Sequence, residues 1–343
     1  MSVLCAGPAQ PHVGWVAIDE LAHLLVHYFD AELLSPQPLA AGGLQRLLRR
    51  GRPAWQPLTG AGGDVLFVVA RGPDDLQMLH AVPQLRRRYG RVVAWITDTY
   101  HHAGYHGVTD QCDAISVTAA EDIDFPRQRF GCQVHHVLQG IDALAWAPRR
   151  ESARDVELIG FGRTPPSYHA ALVDRFHRAD SGALYLHSPL GHLAGPAVQA
   201  ERAMLFKLLY RTQVALAFHL YVEPQHNRPR SMMVTSRWLE SLVAGCIVAG
   251  KRPVSAMADA MLSWPGATIE LDDNPRQACD QLAELFQRRD ELAGQRRANI
   301  RHTLLEHDWR LRIRQLCLAF GLPEPTALAA DLQAVQDLAG QFA

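Results

Sequence analysis

The sequence has no CxxC pair, no long hydrophobic run, no excess of charge of either sign and no glycine-rich dinucleotide fingerprint. Each absence removes a class of protein. Cys5, Cys112, Cys132, Cys246, Cys279 and Cys317 stand far apart, which argues against a zinc or disulfide framework and fits free thiols in a reducing compartment. The apolar stretches are strand-sized and interrupted by His, Arg or Asp, so none is expected to span a bilayer. Met1-Ser-Val-Leu-Cys-Ala lacks the basic n-region of a secretory signal, and the expectation is a soluble cytoplasmic protein. With 34 Lys+Arg against 35 Asp+Glu the formal net charge is −1, which speaks against nucleic acid as the main partner. No GxGxxG follows a strand with an acidic residue at the right distance, so an NAD-dependent oxidoreductase is a poor fit. Repeats at fixed period and low-complexity segments are absent too.

What the chain does have is 343 residues with 48% hydrophobic and 20% charged content, enough for roughly two domains with real cores. Strand-length apolar runs recur between helical patterns. Val65–Ala70, Arg91–Thr97 and Ala114–Thr118 predict strands, and Leu76, Leu79, Val82 and Leu85 predict an N-capped helix after Asp74-Asp75. Following a polar, proline-bearing stretch at Trp146-Ala-Pro-Arg-Arg-Glu151, the alternation restarts. Val156–Gly160, Leu184–His187, Val214–His219 and Cys246–Ala249 predict strands, and Tyr168–Phe176, Ala203–Thr212 and Thr235–Ala244 predict helices. From Asn274 to Phe320 the pattern is mostly helical and Arg-rich, and a last amphipathic helix runs from about Ala327 to Leu338. Strands apolar throughout, alternating with helices, are the pattern of parallel sheets covered on both faces. The fold class is α/β, two units in tandem, with the boundary near residue 149.

Four segments in this order resemble the GT-B glycosyltransferases, in particular the spore-coat-type branch related to the retaining group-1 family. They are Val137-Leu-Gln-Gly-Ile-Asp-Ala-Leu-Ala-Trp-Ala-Pro148, then Leu158-Ile-Gly-Phe-Gly-Arg163, then Ser236-Arg-Trp-Leu-Glu240 with Gly245-Cys246, and His307-Asp308-Trp309 with Arg312. The resemblance implies two Rossmann-like domains facing across a cleft. Residues 1–148 form the acceptor side, 149–322 bind a nucleotide sugar, and 323–343 form a helix returning to the first domain. It implies transfer of a sugar from a nucleotide-diphosphate sugar to a hydroxyl on a glycan, lipid-linked saccharide, protein or metabolite. Neither a metal nor a cofactor beyond the donor is implied, and retention is the implied stereochemistry. One departure stands out: Met232 occupies the place, eight residues before Glu240, where the retaining enzymes often carry a second Glu. That motivates an alternative, a non-catalytic nucleotide-sugar or glycan-binding module on the same scaffold.

The same residues have physical readings of their own. Gly162 permits close backbone approach, and Arg163 and Thr164 sit just past a strand end, where a guanidinium can pair bidentately with phosphate. Ser236 and Arg237 stand near a helix N-terminus, whose free N–H groups and dipole attract phosphate. Glu240, which the resemblance assigns to the ribose, can accept two hydroxyl hydrogen bonds. His219, at a strand end, is a lesser donor-side candidate, with Tyr221 beside it. The Lys common after the Gly-Arg turn is missing, and Arg228 or Arg230 could replace its charge. On the acceptor side Asp98, His101 and His102 follow the strand ending at Thr97, and a His there can take a proton from a hydroxyl or stabilise a departing phosphate. No carboxylate or Cys stands at ligand spacing beside the His-His pair, so a metal site is not expected. His12 and Gly14 are minor candidates in the first βα loop. Arg288 to Arg314 carries interspersed Asp290, Glu291, Glu306 and Asp308, the pattern of a solvated helix laced with salt bridges, with peripheral lipid contact as the minor reading.

Overall fold

The computed structural model describes residues 1–39, 54–60, 62–150, 152–222 and 231–343. The chain divides into two compact units. The first comprises Met1–Gln139, Ala194–Pro196 and Arg312–Ala329, the second Gly140–Leu193, Ala197–Leu311 and Ala330–Ala343.

The first unit is built on β1 (Ser2–Cys5), β2 (Glu32–Leu34), β3 (Gly63–Ala70), β4 (Tyr89–Ile96), β5 (Ala114–Val117) and β6 (Gln133–His136). They form one sheet in the order β2-β1-β3-β4-β5-β6, every pair parallel. Leu66 to Ala70 and Val92 to Ile96 are fully buried, as strands covered on both faces require. Helix α1 (Val16–Phe29) covers the β1 region with Val16, Leu21 and Leu25. A two-residue antiparallel pairing joins Pro38–Leu39 to Ala54–Trp55.

In the second unit, β7 (Val156–Gly160), β8 (Tyr185–His187), β9 (Thr212–Phe218), β10 (Ile247–Lys251) and β11 (Ile269–Glu270) form a parallel sheet in the order β8-β7-β9-β10-β11. Its helices are α2 (Pro166–Phe176), α3 (Val198–Arg211), α4 (Ser236–Val243), α5 (Pro275–Gln287) and α6 (Ala293–His307). Strand order reverses at β1/β3 in one sheet and at β7/β9 in the other, and the carboxyl ends of strands beside such a reversal open a crevice.

Three features differ from the sequence expectation. The helix expected from Leu76 to Leu85 is a 3-10 helix, Pro73–Ala81, followed by a single turn, Leu85–Arg88. Pro83 removes a backbone donor and holds Val82 extended (φ −99°, ψ 97°), so the helix cannot continue. The units part at Gln139/Gly140 rather than after Pro148. There Ile141 exchanges backbone bonds with the chain after α6: its N–H donates to the His307 carbonyl at 3.0 Å and its carbonyl accepts from Trp309 N–H at 2.9 Å. Gly140 permits this approach, since a Cβ would stand 2.7 Å from the His307 carbonyl oxygen. Finally, helices α7 (Trp309–Phe320) and α8 (Thr326–Gly340) are each divided between units, and Ala330–Ala343 groups with the second, where Arg310 Nε lies 3.6 Å from Asp331.

Candidate functional site

The crevice of the second sheet is framed by the turn after β7 and the start of α4. Gly162 adopts φ +75°, and a Cβ there would come within 2.4 Å of Arg237 Nη2, so only glycine lets the guanidinium lie against the turn. Arg237 Nη1 donates to the Arg163 carbonyl at 2.9 Å, and its guanidinium lies 6.0 Å from the centre of the Phe161 ring. Burial pushes the Arg237 guanidinium down to about 10; Glu240 pulls it back up and Arg163 pushes it further down. It therefore stays charged at neutral pH, a partly desolvated cation beside a second one, and a phosphate group would relieve both strains. The Arg163 side chain is exposed, and Thr164 Oγ1 lies near the α-carbon side of Gly160.

Helix α4 begins without a capping side chain at Thr235, whose buried Oγ1 has no partner among the described residues. Its first N–H groups, at Ser236 and Arg237, thus face the same turn with the positive end of the helix dipole. Glu240 sits one turn deeper and is 4% exposed. Its Oε1 accepts from Arg202 Nη1 at 2.6 Å. Arg202, on α3, is fully buried and lies 5.1 Å from the Trp146 ring and 5.2 Å from Phe206, which stack on each other at 4.1 Å. Among the described residues nothing donates to Glu240 Oε2. The carboxylate is held by one oxygen and can accept hydroxyls at the other.

His219 follows β9. Its Nδ1 accepts from Tyr221 N–H at 3.1 Å, which in the neutral ring leaves the proton on Nε2. Lys251, at the end of β10, is absorbed by Asp273 at 2.6 Å and Glu270 at 3.4 Å. Met232 is half-buried, and its carbonyl accepts from Ser255 Oγ at 2.7 Å. Arg228 and Arg230 lie outside the described residues.

In the first unit the sequence candidates separate. His102 Nε2 lies 3.0 Å from Asp122 Oδ1, Thr99 Oγ1 donates to Asp122 Oδ2 at 2.7 Å, and the His102 ring stacks on Phe125 at 4.2 Å. Asp122 is fully buried and was not among the residues singled out from sequence; the turn at Ala119-Ala-Glu-Asp122 was legible, but its reach back to His102 was not. This pair fixes His102 by one nitrogen and leaves Nδ1 for proton transfer. His101 is exposed, its ring tilted against that of Tyr100 with centroids 4.1 Å apart, and Asp98 is half-buried. His12 caps the turn before α1, its Nδ1 accepting from Gly14 N–H at 3.1 Å, a structural role for both. Among the described residues no group of three His, Cys, Asp or Glu side chains could hold a metal ion. The His307-Asp308-Trp309 segment is a structural clasp in the second unit: buried Asp308 accepts from Leu144 N–H at 2.9 Å and Arg310 N–H at 2.8 Å. Arg312 donates to the Gln139 carbonyl at 3.2 Å in the first unit.

Residues 178–318 match the family of glycosyl transferase-like domains. That span holds Ser236, Arg237, Glu240 and the His307-Asp308-Trp309 clasp; Gly162 and Arg163 precede it. Among solved structures, HepE of Anabaena in complex with UDP and glucose is 9% identical, with a TM-score of 0.56 over 94% of this chain and 99% of that one. The same protein with UDP-glucose gives 0.52 over 93% and 98%, at 9% identity. With UDP alone it gives 0.51 over 94% and 100%, again at 9% identity. No curated protein matches the chain. The fold is GT-B, as the four segments implied, and the resemblance to the group-1 type of glycosyltransferase is borne out.

Proposed function

From a GT-B chain whose second unit carries a glycosyl transferase-like domain, we propose that this protein transfers a sugar from a nucleotide-diphosphate sugar to a hydroxyl acceptor. The observation that carries the reading is the arrangement at the β7/β9 reversal: Arg237 against Gly162, an uncapped α4 N-terminus, and Glu240 with Oε2 open one turn deeper. Arg163, Arg237 and the first N–H groups of α4 bind the diphosphate and take up the charge of the leaving group without a metal. Thr164, Ser236 and His219 line the same crevice, and Glu240 accepts the ribose hydroxyls. Since the HepE structures hold UDP and UDP-glucose, uridine diphosphate donors are the first to test.

The first unit supplies the acceptor side. His102, oriented by Asp122, handles the proton released as the acceptor oxygen bonds to the anomeric carbon and the sugar–phosphate bond breaks; Asp98 and His101 stand on the same loop. No helix among the described residues is long and apolar enough to cross a membrane, and the six cysteines are free, which supports a cytoplasmic location.

Thermal-shift titration with UDP and UDP-sugars, followed by assay of UDP release, tests the proposal. Stabilisation in the wild type that disappears in Arg237→Gln, with the unliganded melting point retained, is the expected result. No response to any nucleoside diphosphate, or an equal response in Arg237→Gln, overturns the site. The neutral Met232 motivates a second reading, a binding module; binding without nucleotide release across a broad acceptor panel favours it.

A further inference from the structure

We propose that the second unit holds another ligand site, a basic cavity at the amino ends of its strands that binds a compact ligand carrying two or more phosphate groups. The cavity has a volume of about 410 Å³ and is lined by Arg149, Arg150, Arg154, Arg289, Arg296 and Arg297, with Asp290 the one acid in its wall. Arg154 lies just before β7 and donates to the carbonyls of Leu209 at 3.2 Å and Ala244 at 2.7 Å, the chain ends before β9 and β10. The site is therefore at the opposite end of the sheet from Gly162 and Arg237, and it stands independently of the donor reading.

The way these arginines are held points to an anion. Arg149 donates to the Leu144 carbonyl at 2.6 Å. Carbonyls orient a guanidinium without cancelling its charge. Arg289 shares Glu157 at 3.5 Å, whereas Arg150 and Arg297 have no carboxylate partner among the described residues. The expected salt-bridge lacing holds for Arg288, paired with Glu291 at 2.7 Å, whereas Arg150 and Arg297 stand outside it among the described residues. Helix α6 also starts here, with no capping side chain and no acid in its first turn. Its free N–H groups and the positive end of its dipole add to the attraction for an anion. A volume of 410 Å³ falls within the range of small-ligand pockets. The Tyr210 ring, its hydroxyl bound to the Trp146 carbonyl at 2.8 Å, gives the cavity a fixed apolar wall. Several forked guanidiniums lining one cavity suit clustered phosphates better than a single carboxylate.

The test is calorimetric titration of the full chain with inorganic tripolyphosphate, with sulfate at matched ionic strength as the control. We expect saturable binding at this cavity, separate from any binding in the donor crevice, weakened roughly tenfold for each guanidinium lost and so about a hundredfold in Arg150→Gln/Arg297→Gln. Both side chains are exposed, so the fold should persist, which a thermal melt checks. Arg237→Gln, which weakens phosphate ligation in the donor crevice, should leave the tripolyphosphate binding at this basic cavity unchanged. A sedimentation assay distinguishes the sources of phosphate: phosphatidylcholine vesicles with and without phosphatidylinositol phosphate. Capture by the phosphorylated vesicles, released by tripolyphosphate, assigns a lipid headgroup; binding of free tripolyphosphate without capture assigns a soluble ligand. Heats that track ionic strength without saturating, or an affinity lost in Arg237→Gln and kept in Arg150→Gln/Arg297→Gln, overturn the proposal.

Discussion

The two sheets reverse strand order in the same way, yet their switch points carry opposite chemistry. At β1/β3, Arg71 Nη2 meets Asp19 Oδ2 at 2.7 Å and Nε meets Oδ1 at 3.1 Å, while Nη1 donates to the Gln10 carbonyl at 3.1 Å. The Asp19 and Arg71 side chains are only 9% and 10% exposed. The backbone closes over them, because a Cβ on Gly7 would stand 2.5 Å from the Asp19 carboxyl carbon. At β7/β9 the cations Arg163 and Arg237 have no such bidentate carboxylate among the described residues, and the nearby acid, Glu240, has given one oxygen to Arg202. Topology creates a crevice in both units. Whether that crevice is filled by the protein's own charges or kept for a ligand is decided by a few side chains.

This contrast breaks if the first switch point tolerates loss of its pair. Asp19→Ala leaves Arg71 buried and unpaired, and should lower unfolding free energy by about 3–5 kcal/mol in a urea melt. The double variant Asp19→Leu/Arg71→Met should recover most of that, since it removes both charges together. A loss in Asp19→Ala below about 1 kcal/mol, within the range of an exposed pair, would mean the first crevice is as open as the second. The second switch point should respond to a smaller lesion in a different currency. Gly162→Ala introduces strain at φ +75° and a contact 2.4 Å from Arg237 Nη2. It should cost about 1–2 kcal/mol of stability and, more tellingly, raise the donor KM by displacing the guanidinium. A stability loss with unchanged KM would detach Arg237 from donor binding.

Much of this was open to inspection in the sequence. Buried parallel strands such as Val65–Ala70 and Arg91–Thr97 announce themselves because both faces must be apolar. Gly162, Arg163 and Glu240 stand out because the segments that hold them resemble the GT-B pattern. The partners were hidden. Arg202 meets Glu240 across 38 residues and Asp122 meets His102 across 20, and helical periodicity says which face is buried but not which neighbour covers it. The unit boundary was obscured for the same reason: Gly140 looks like a loop glycine until Trp309 and the His307 carbonyl are packed on it. Short β2 and β11, three and two residues long, depend on the sheets they join rather than on their own composition.

The faintest expected difference between the units is in their response to acid. On the second, burial and then the neighbouring His169 and His177 hold His187 below its ordinary value; the rings lie 4.7 and 5.2 Å from it. An imidazole depressed in the folded state contributes stability that is present above the unfolded value near 6.5 and is lost as pH falls through the lower folded value. On the first unit, burial raises the Asp75 carboxyl, which accepts from Arg71 N–H at 2.9 Å. A raised carboxyl contributes in the opposite sense, its stability present at low pH and lost as pH rises through the folded value. Between pH 7 and 5, protection from hydrogen exchange, taken relative to the intrinsic rate at each pH, should therefore fall around Tyr185–His187 and not around Arg71–Asp75. His187 is exposed and solvent screens it, so the effect should be small and should vanish in His187→Gln. Equal loss of protection in both segments, or a loss that persists in His187→Gln, would show that acid acts on the chain as a whole rather than on this cluster.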